Sequence, residues 1–171
     1  MLLYVMRHGP AEDRAASGRD FDRALTPEGR ATVVRVARRV HEARQVLGRP
    51  WRLLASPFRR AAETAAIVAS GASPPLQVET NEDLGADAGL PRGLVAELAS
   101  AATDAFLVGH QPIVEALVRE LLHPARFPLP AGFRTATVVS LEQVPSGWRL
   151  ADVFEAIHDR ESGGGSPNPS G

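Results

Sequence analysis

Met1-Leu2-Leu3-Tyr4-Val5-Met6-Arg7-His8-Gly9-Pro10 is the stretch whose reading decides the fold. Leu2 to Met6 is an apolar run that reads as a short strand buried on both faces, as in a parallel sheet. It ends at once in Arg7, His8 and Gly9. Open α/β sheets bind their ligands at the carboxyl ends of the strands. The chain therefore puts a guanidinium and an imidazole where such folds do chemistry. Gly9 supplies a corner without a side chain, so the backbone can turn beside a bound group. Pro10 blocks continuation of the strand.

Two further apolar runs repeat the pattern. Trp51 to Ala55 leads into Ser56-Pro57-Phe58-Arg59-Arg60-Ala61, and Ala105 to Val108 leads into Gly109-His110-Gln111-Pro112. One histidine at a strand end is more often structural than functional. Three strand ends that each carry a basic or imidazole group point to one shared site at one edge of the sheet.

Composition narrows the classes. The chain has 171 residues, of which 44% are hydrophobic, enough for one domain with a proper core. A formal net charge of -1 argues against a nucleic-acid partner. The sequence has no lysine, so an anion site has to use guanidinium, imidazole or backbone donors. With no cysteine, disulfides, thiolate nucleophiles and cysteine metal sites are excluded. No apolar run reaches the ~18 residues of a membrane span. The N-terminus has no signal-peptide pattern. The expected location is the cytoplasm.

The remaining elements complete an α/β pattern. Ala11 to Leu25 is a polar loop, long enough to suggest a role beside the site. Thr26-Pro27-Glu28-Gly29 opens a helix with Thr26 as N-cap. Gly29 suggests close packing there. Val33, Val36, Ala37 and Val40 mark the buried stripe of that helix. Arg30, Arg35, Arg38, Arg39, Arg44 and His41 are expected on its solvent side, and Gly48-Arg49-Pro50 is expected to end it. Ser56 is expected to cap the next helix, with Pro57 at its first position. A guanidinium near that helix N-terminus favours an anion. Leu76 to Glu79 reads as an edge strand and Asn81 to Asp87 as an acidic loop. Leu90 to Ala101 and Ile113 to Leu122 read as helices. The proline-bearing stretch from His123 to Gly132 reads as a loop. Ala136 to Leu141 and Gly147 to Val153 read as a terminal hairpin. The domain is expected to span 1–161, and residues 162–171, all Gly, Ser, Pro and Asn, read as a disordered tail.

Arg7-His8-Gly9, Leu25-Thr26-Pro27-Glu28-Gly29, Ser56-Pro57-Phe58-Arg59-Arg60-Ala61-Ala62-Glu63-Thr64-Ala65 and Gly109-His110-Gln111-Pro112, in that order, resemble the histidine phosphatase superfamily. Within it the likeness is to SixA-type phosphohistidine phosphatases. The resemblance implies a phosphoglycerate mutase-like fold: a three-layer α/β/α sandwich with a mostly parallel central sheet and a C-terminal antiparallel hairpin. It implies a metal-independent phosphatase without a cofactor. His8 matches the nucleophile that takes the phosphoryl group, and Arg7 and Arg60 match the arginines that hold its oxygens. His110 matches the second pocket histidine, expected to be protonated beside the phosphate. Arg59 falls at a variable position. Arg7, Gly9, Arg60 and His110 form the expected substrate-binding set.

The resemblance places the general acid in Glu82-Asp83-Leu84, with Asp83 ahead of Glu82. The chemistry is coherent, since phosphoryl transfer needs positioning and charge neutralisation above all. Arginine forks suit phosphoryl oxygens, and a neutral imidazole is a good nucleophile near pH 7. The short loop between Glu79 and Leu90 implies an open pocket. Protein phosphohistidine is accordingly the first expected substrate. A small phosphate ester is the second, and a phosphate-binding module without catalysis is the reading from another class. No nucleic acid or membrane is expected as a partner.

Overall fold

The computed structural model describes residues 1–45, 51–122, 129 and 132–156. The elements run in the order β1 (Leu2–Arg7), α1 (Pro27–Gln45), β2 (Trp51–Ala55), α2 (Arg59–Ser70) and β3 (Val78–Thr80). Then come α3 (Arg92–Ser100), β4 (Asp104–Gly109), α4 (Ile113–Leu121), β5 (Val138–Val144) and β6 (Gly147–Phe154). Two 3-10 turns, Asp20–Asp22 and Glu82–Leu84, lie in the loops after β1 and β3.

The strands form one sheet in the order β3-β2-β4-β1-β5-β6. The first four positions run parallel; β5 and β6 are antiparallel. β1 lies inside the sheet, with Leu3 opposite Ala105 on β4 and Tyr4 opposite Ser140 on β5. Its unbroken apolar run is a consequence of this position. Tyr4 and Met6 face the core shared with Val33, Val36 and Val40 of α1 and Ala61, Ala65 and Val68 of α2. Leu3 and Val5 face Leu94 and Leu98 of α3 and Val114 and Leu117 of α4. Both faces are covered, which gives the three layers. Burying each such side chain contributes about 2 kcal/mol, against about 1 kcal/mol net for a ladder hydrogen bond. Packing on two faces therefore fixes the register of β1.

The start of α1 is built as its sequence suggests. Thr26 Oγ1 accepts from Gly29 N at 2.9 Å. A Cβ on Gly29 would stand 2.0 Å from the carbonyl oxygen of Pro10, so only glycine fits where the helix crosses the chain leaving β1.

Its last turns correct the expectation for His41 and Arg44. Both are buried. His41 Nε2 donates to the Val68 carbonyl at 2.8 Å. Arg44 pairs with Asp104 at 3.4 Å and stacks over Trp51, 4.4 Å from its ring centroid. Asp104 also accepts from Leu2 N at 2.6 Å. Residues 41 and 44 continue the stripe of residues 37 and 40 at helical spacing. The stripe remains covered because Trp51 and Asp104, at the starts of β2 and β4, meet it there.

Other boundaries shift by a few residues. α2 begins at Arg59, and Phe58 rather than Ser56 is its N-cap, without a side-chain cap bond. The edge strand is Val78–Thr80, and α3 is Arg92–Ser100. Ala136 adopts a positive φ of 61° just before β5, so the hairpin starts at Val138. The expected helix stop at Gly48-Arg49-Pro50, most of the 123–132 loop and the 162–171 tail lie outside the described residues. No helix among the described residues is long and apolar enough to cross a membrane.

Candidate active site

The parallel register brings three strand ends together. Arg7 lies opposite Gly109, and Ala55 opposite Val108. The next residues continue the ladder: His8 N donates to Gly109 O at 3.1 Å, and Ser56 N donates to Val108 O at 3.0 Å. His8, Ser56 and His110 thus emerge side by side at the carboxyl edge. Gly109 bonding and sheet packing hold them on rigid elements, where catalytic groups keep their geometry best.

His8 is 7% exposed. Its Nδ1 lies 2.8 Å from Gly9 O. Its Nε2 lies 3.2 Å from Arg60 Nε. A carbonyl only accepts and a guanidinium only donates. Nδ1 therefore carries the proton, and Nε2 presents a lone pair. Burial, with Arg60 and Arg7 adding and the Gly9 carbonyl opposing, lowers the His8 pKa to about 4. The ring is neutral at pH 7.

His110 is 2% exposed, with its ring centroid 5.0 Å from that of His8. Its Nε2 lies 2.8 Å from Ser56 Oγ, and its Nδ1 is buried with no hydrogen-bond partner among the described residues. Burial first, then the nearby His8 and Arg60, lowers its pKa to about 3. With the site as it stands the ring is neutral; the expected protonated His110 concerns the site with phosphate beside it. A phosphoryl dianion beside it would raise that value.

Arg60 is 5% exposed and stacks on Phe58, 4.9 Å from the ring centroid. Besides Nε to His8, its Nη1 donates to Asp20 O at 2.8 Å and its Nη2 to Asp20 Oδ2 at 2.9 Å. Arg7 donates from Nη1 to Phe133 O at 2.8 Å, while its Nε is buried without a partner among the described residues. Burial and the proximity of Arg60 push its pKa below the ordinary arginine value. Two close guanidiniums, with Arg7 Nε buried and idle among the described residues, form a site that an anion would complete.

Gly9 serves the scaffold as well as the turn. Its N–H donates to Thr64 Oγ1 at 3.1 Å, and Thr64 donates to Arg60 O at 2.7 Å. A Cβ there would come within 2.5 Å of Val33 Cγ2. Arg59 points elsewhere and pairs with Glu63 at 2.9 Å. Asp83 and Glu82 lie exposed on the second 3-10 turn. That turn flanks the site: Leu84 O stands 3.5 Å from where a Gly109 Cβ would be. The Asp83 backbone N–H donates to Asn81 Oδ1 at 2.9 Å, which holds the turn closed. The structure does not bring either carboxylate into hydrogen-bond contact with His8, Arg7, Arg60 or His110.

Two residues of the site escape a reading by sequence alone. Ser56 resembles a helix cap, yet it stands at a strand end just as His8 and His110 do, and that shared position was a usable signal. Asp20 is one acid among several in a polar loop, and its place against Arg60 has no local signature.

Comparison with known proteins agrees with the fold. The profile of the histidine phosphatase superfamily (branch 1) matches residues 3–98. The chain belongs to that superfamily. An uncharacterized protein of Picosynechococcus sp. is 41% identical over 121 residues, 66% of this chain and 67% of that protein. The structure resembles that of a protein named as phosphohistidine phosphatase SixA from Agrobacterium tumefaciens, with TM-score 0.74, 26% identity, and 90% and 97% of the two chains covered. A protein histidine phosphatase SixA complexed with tungstate matches equally well, with TM-score 0.74, 26% identity, and 91% and 97% covered. A mycobacterial glucosyl-3-phosphoglycerate phosphatase in complex with VO3 aligns with TM-score 0.64 at 25% identity, over 91% and 99% of the chains. The solved structures share the fold, and the phosphatases among them are named for different substrates.

Proposed function

We propose that this protein is a phosphatase that carries the phosphoryl group on His8 Nε2 and acts on protein phosphohistidine. The observation that carries this reading is the tautomer of His8, fixed by Gly9 O on one side and Arg60 Nε on the other. It leaves a neutral, buried nucleophile whose lone pair faces Arg60.

In the first step Nε2 attacks phosphorus, the Nε2–P bond forms, and the bond to the leaving imidazole breaks. The leaving nitrogen takes its electron pair and a proton, from Asp83 or from water. Phosphorylated His8 keeps its Nδ1 proton and is cationic, which weakens the P–N bond. In the second step water attacks phosphorus, orthophosphate leaves, and Nε2 regains its lone pair. Arg7 and Arg60 neutralise the charge spread over the equatorial oxygens. Neutral His110 can help without an added proton. Ser56 O–H donating to Nε2 leaves an N–H at Nδ1, the buried atom without a partner among the described residues, to reach a phosphoryl oxygen.

The similarity to the SixA proteins favours a phosphohistidine substrate. The acid also bears on the choice. A leaving imidazole needs less help than an alkoxide, and both candidate acids stand exposed on a short turn. The similarity to the glucosyl-3-phosphoglycerate phosphatase supports a small phosphate ester as the second reading. Phosphate release from a phosphohistidine-bearing carrier protein, p-nitrophenyl phosphate and a panel of sugar phosphates tests the two. The expected outcome is fastest release from the carrier, abolished by His8→Ala. A sugar phosphate turned over at higher kcat/KM would move the assignment to the ester.

A further inference from the structure

The loop between β1 and α1 delivers a carboxylate into the site that neither step of phosphoryl transfer uses. Asp20 Oδ2 accepts from Arg60 Nη2 at 2.9 Å, its backbone oxygen accepts from Arg60 Nη1 at 2.8 Å, and its Oδ1 accepts from Arg23 Nη1 at 2.7 Å. Phe21 beside it packs on Phe58 with ring centroids 5.0 Å apart. Phe58 in turn lies edge-on to His110 at 4.9 Å. The 3-10 turn is thus seated on the site by charge and by an aromatic contact. Arg23 first, with Arg60 adding, holds the Asp20 carboxyl below its ordinary value, so it is ionised at neutral pH.

Nε and Nη2 of a guanidinium form one edge, matched to two oxygens of a single phosphoryl group. In Arg60 the Nε end of that edge faces His8 Nε2, where phosphorus has to arrive. The Nη2 end faces Asp20. A phosphoryl group gripped by this edge uses Nε and the other N–H of Nη2, beside the Asp20 carboxylate and carbonyl held on the Nη1–Nη2 edge, and two anions on one guanidinium repel. Each anion therefore weakens the hold of Arg60 on the other.

We infer that Asp20 is an internal anion that competes with the phosphoryl ligand for Arg60, so that a ligand is held less tightly while this carboxylate stays on the guanidinium. The inference rests on the phosphoryl-site reading and adds a determinant of affinity to it. Substrate and orthophosphate product are weakened by the same factor. Such uniform weakening raises KM and the product inhibition constant together without lowering kcat. A pocket with two arginines thereby holds free orthophosphate less tightly. Asp20 is 54% exposed while Arg60 is almost fully covered. A carboxylate so placed is readily rehydrated, and the competition amounts to about fivefold.

Asp22 supplies the control. It stands on the same turn but binds Arg19 at 2.9 Å and Ser17 at 2.6 Å, away from Arg60. Asp22→Asn removes the same charge from the same turn. Orthophosphate binding to the 171-residue chain, its Asp20→Asn variant and its Asp22→Asn variant is measured by calorimetry, with KM and kcat for p-nitrophenyl phosphate alongside. Asp20→Asn is expected to bind orthophosphate about fivefold more tightly and to lower KM by a similar factor, while Asp22→Asn stays close to the parent. Unchanged or weaker binding in Asp20→Asn overturns the inference. So does equal tightening in Asp22→Asn, which would reduce the effect to general charge. A fall in kcat at unchanged orthophosphate affinity also overturns it and makes Asp20 a positioning residue for Arg60. Calorimetry reads binding without turnover. Tighter orthophosphate in Asp20→Asn, with no hydrolysis by the parent chain, would leave the competition standing and defeat the phosphatase reading alone.

Discussion

His8 owes its reactivity to two neighbours of opposite hydrogen-bonding character. The Gly9 carbonyl can only accept and the Arg60 guanidinium can only donate, so the proton sits on Nδ1 and the lone pair on Nε2. Burial lowers the pKa from 6.5 to about 4. Protonation at Nε2 would remove the nucleophile, and the shift keeps that event well below neutral pH. Nitrogen NMR across an acid titration checks this. His8 is expected to hold one neutral tautomer, protonated at Nδ1, from pH 7 down through about pH 5. A midpoint near the ordinary 6.5, or a proton found on Nε2 at neutral pH, would contradict it. At this scale the sequence was largely legible. Arg7, His8, Arg60 and His110 could be nominated because a charged or imidazole side chain at the end of an apolar run is conspicuous. Protonation was not legible, because it depends on how deeply a ring is buried and which charges face it. His110 shows this: burial and its cationic surroundings lower its pKa to about 3, and no residue type or spacing announces that.

Among the elements, α1 teaches the most. Its first turn could be read from Thr26, Pro27 and Gly29. Its last turns could not, because Arg44 and His41 look like solvent residues by type. Their periodicity says otherwise: positions 33, 36, 37, 40, 41 and 44 form one stripe. The packing partner decides whether a charged residue on such a stripe is covered, and here β4 brings Asp104 within 3.4 Å of Arg44. A buried ion pair costs most when one partner is removed, because the other charge is left uncompensated. Asp104→Ala is therefore expected to lose about 3–5 kcal/mol of folding stability in chemical denaturation. A loss below about 1 kcal/mol, the value for exposed pairs, would show that the pair contributes nothing special to this corner. The start of α2 was misread for a related reason. Ser56 has the type of a cap, but His110 Nε2 lies 2.8 Å from its hydroxyl, and the helix starts at Arg59.

Across the whole molecule, function comes from topology. Three parallel strands end in register, and the residues just beyond each strand land in one place. The fold was legible because β1, β2 and β4 are buried on both faces and read as plain apolar runs. The contact between Asp20 and Arg60 was not, since it joins residues 40 positions apart through a loop without a pattern. The central claim is that the phosphoryl group passes through His8. Rapid quench of the protein with a phosphohistidine carrier labelled in its phosphoryl group, and then peptide mapping, addresses it directly. The expected result is an acid-labile, alkali-stable phosphoryl group on Nε2 of His8, absent in His8→Ala together with turnover. Turnover that persists in His8→Ala, or a label on any other residue, would contradict the claim.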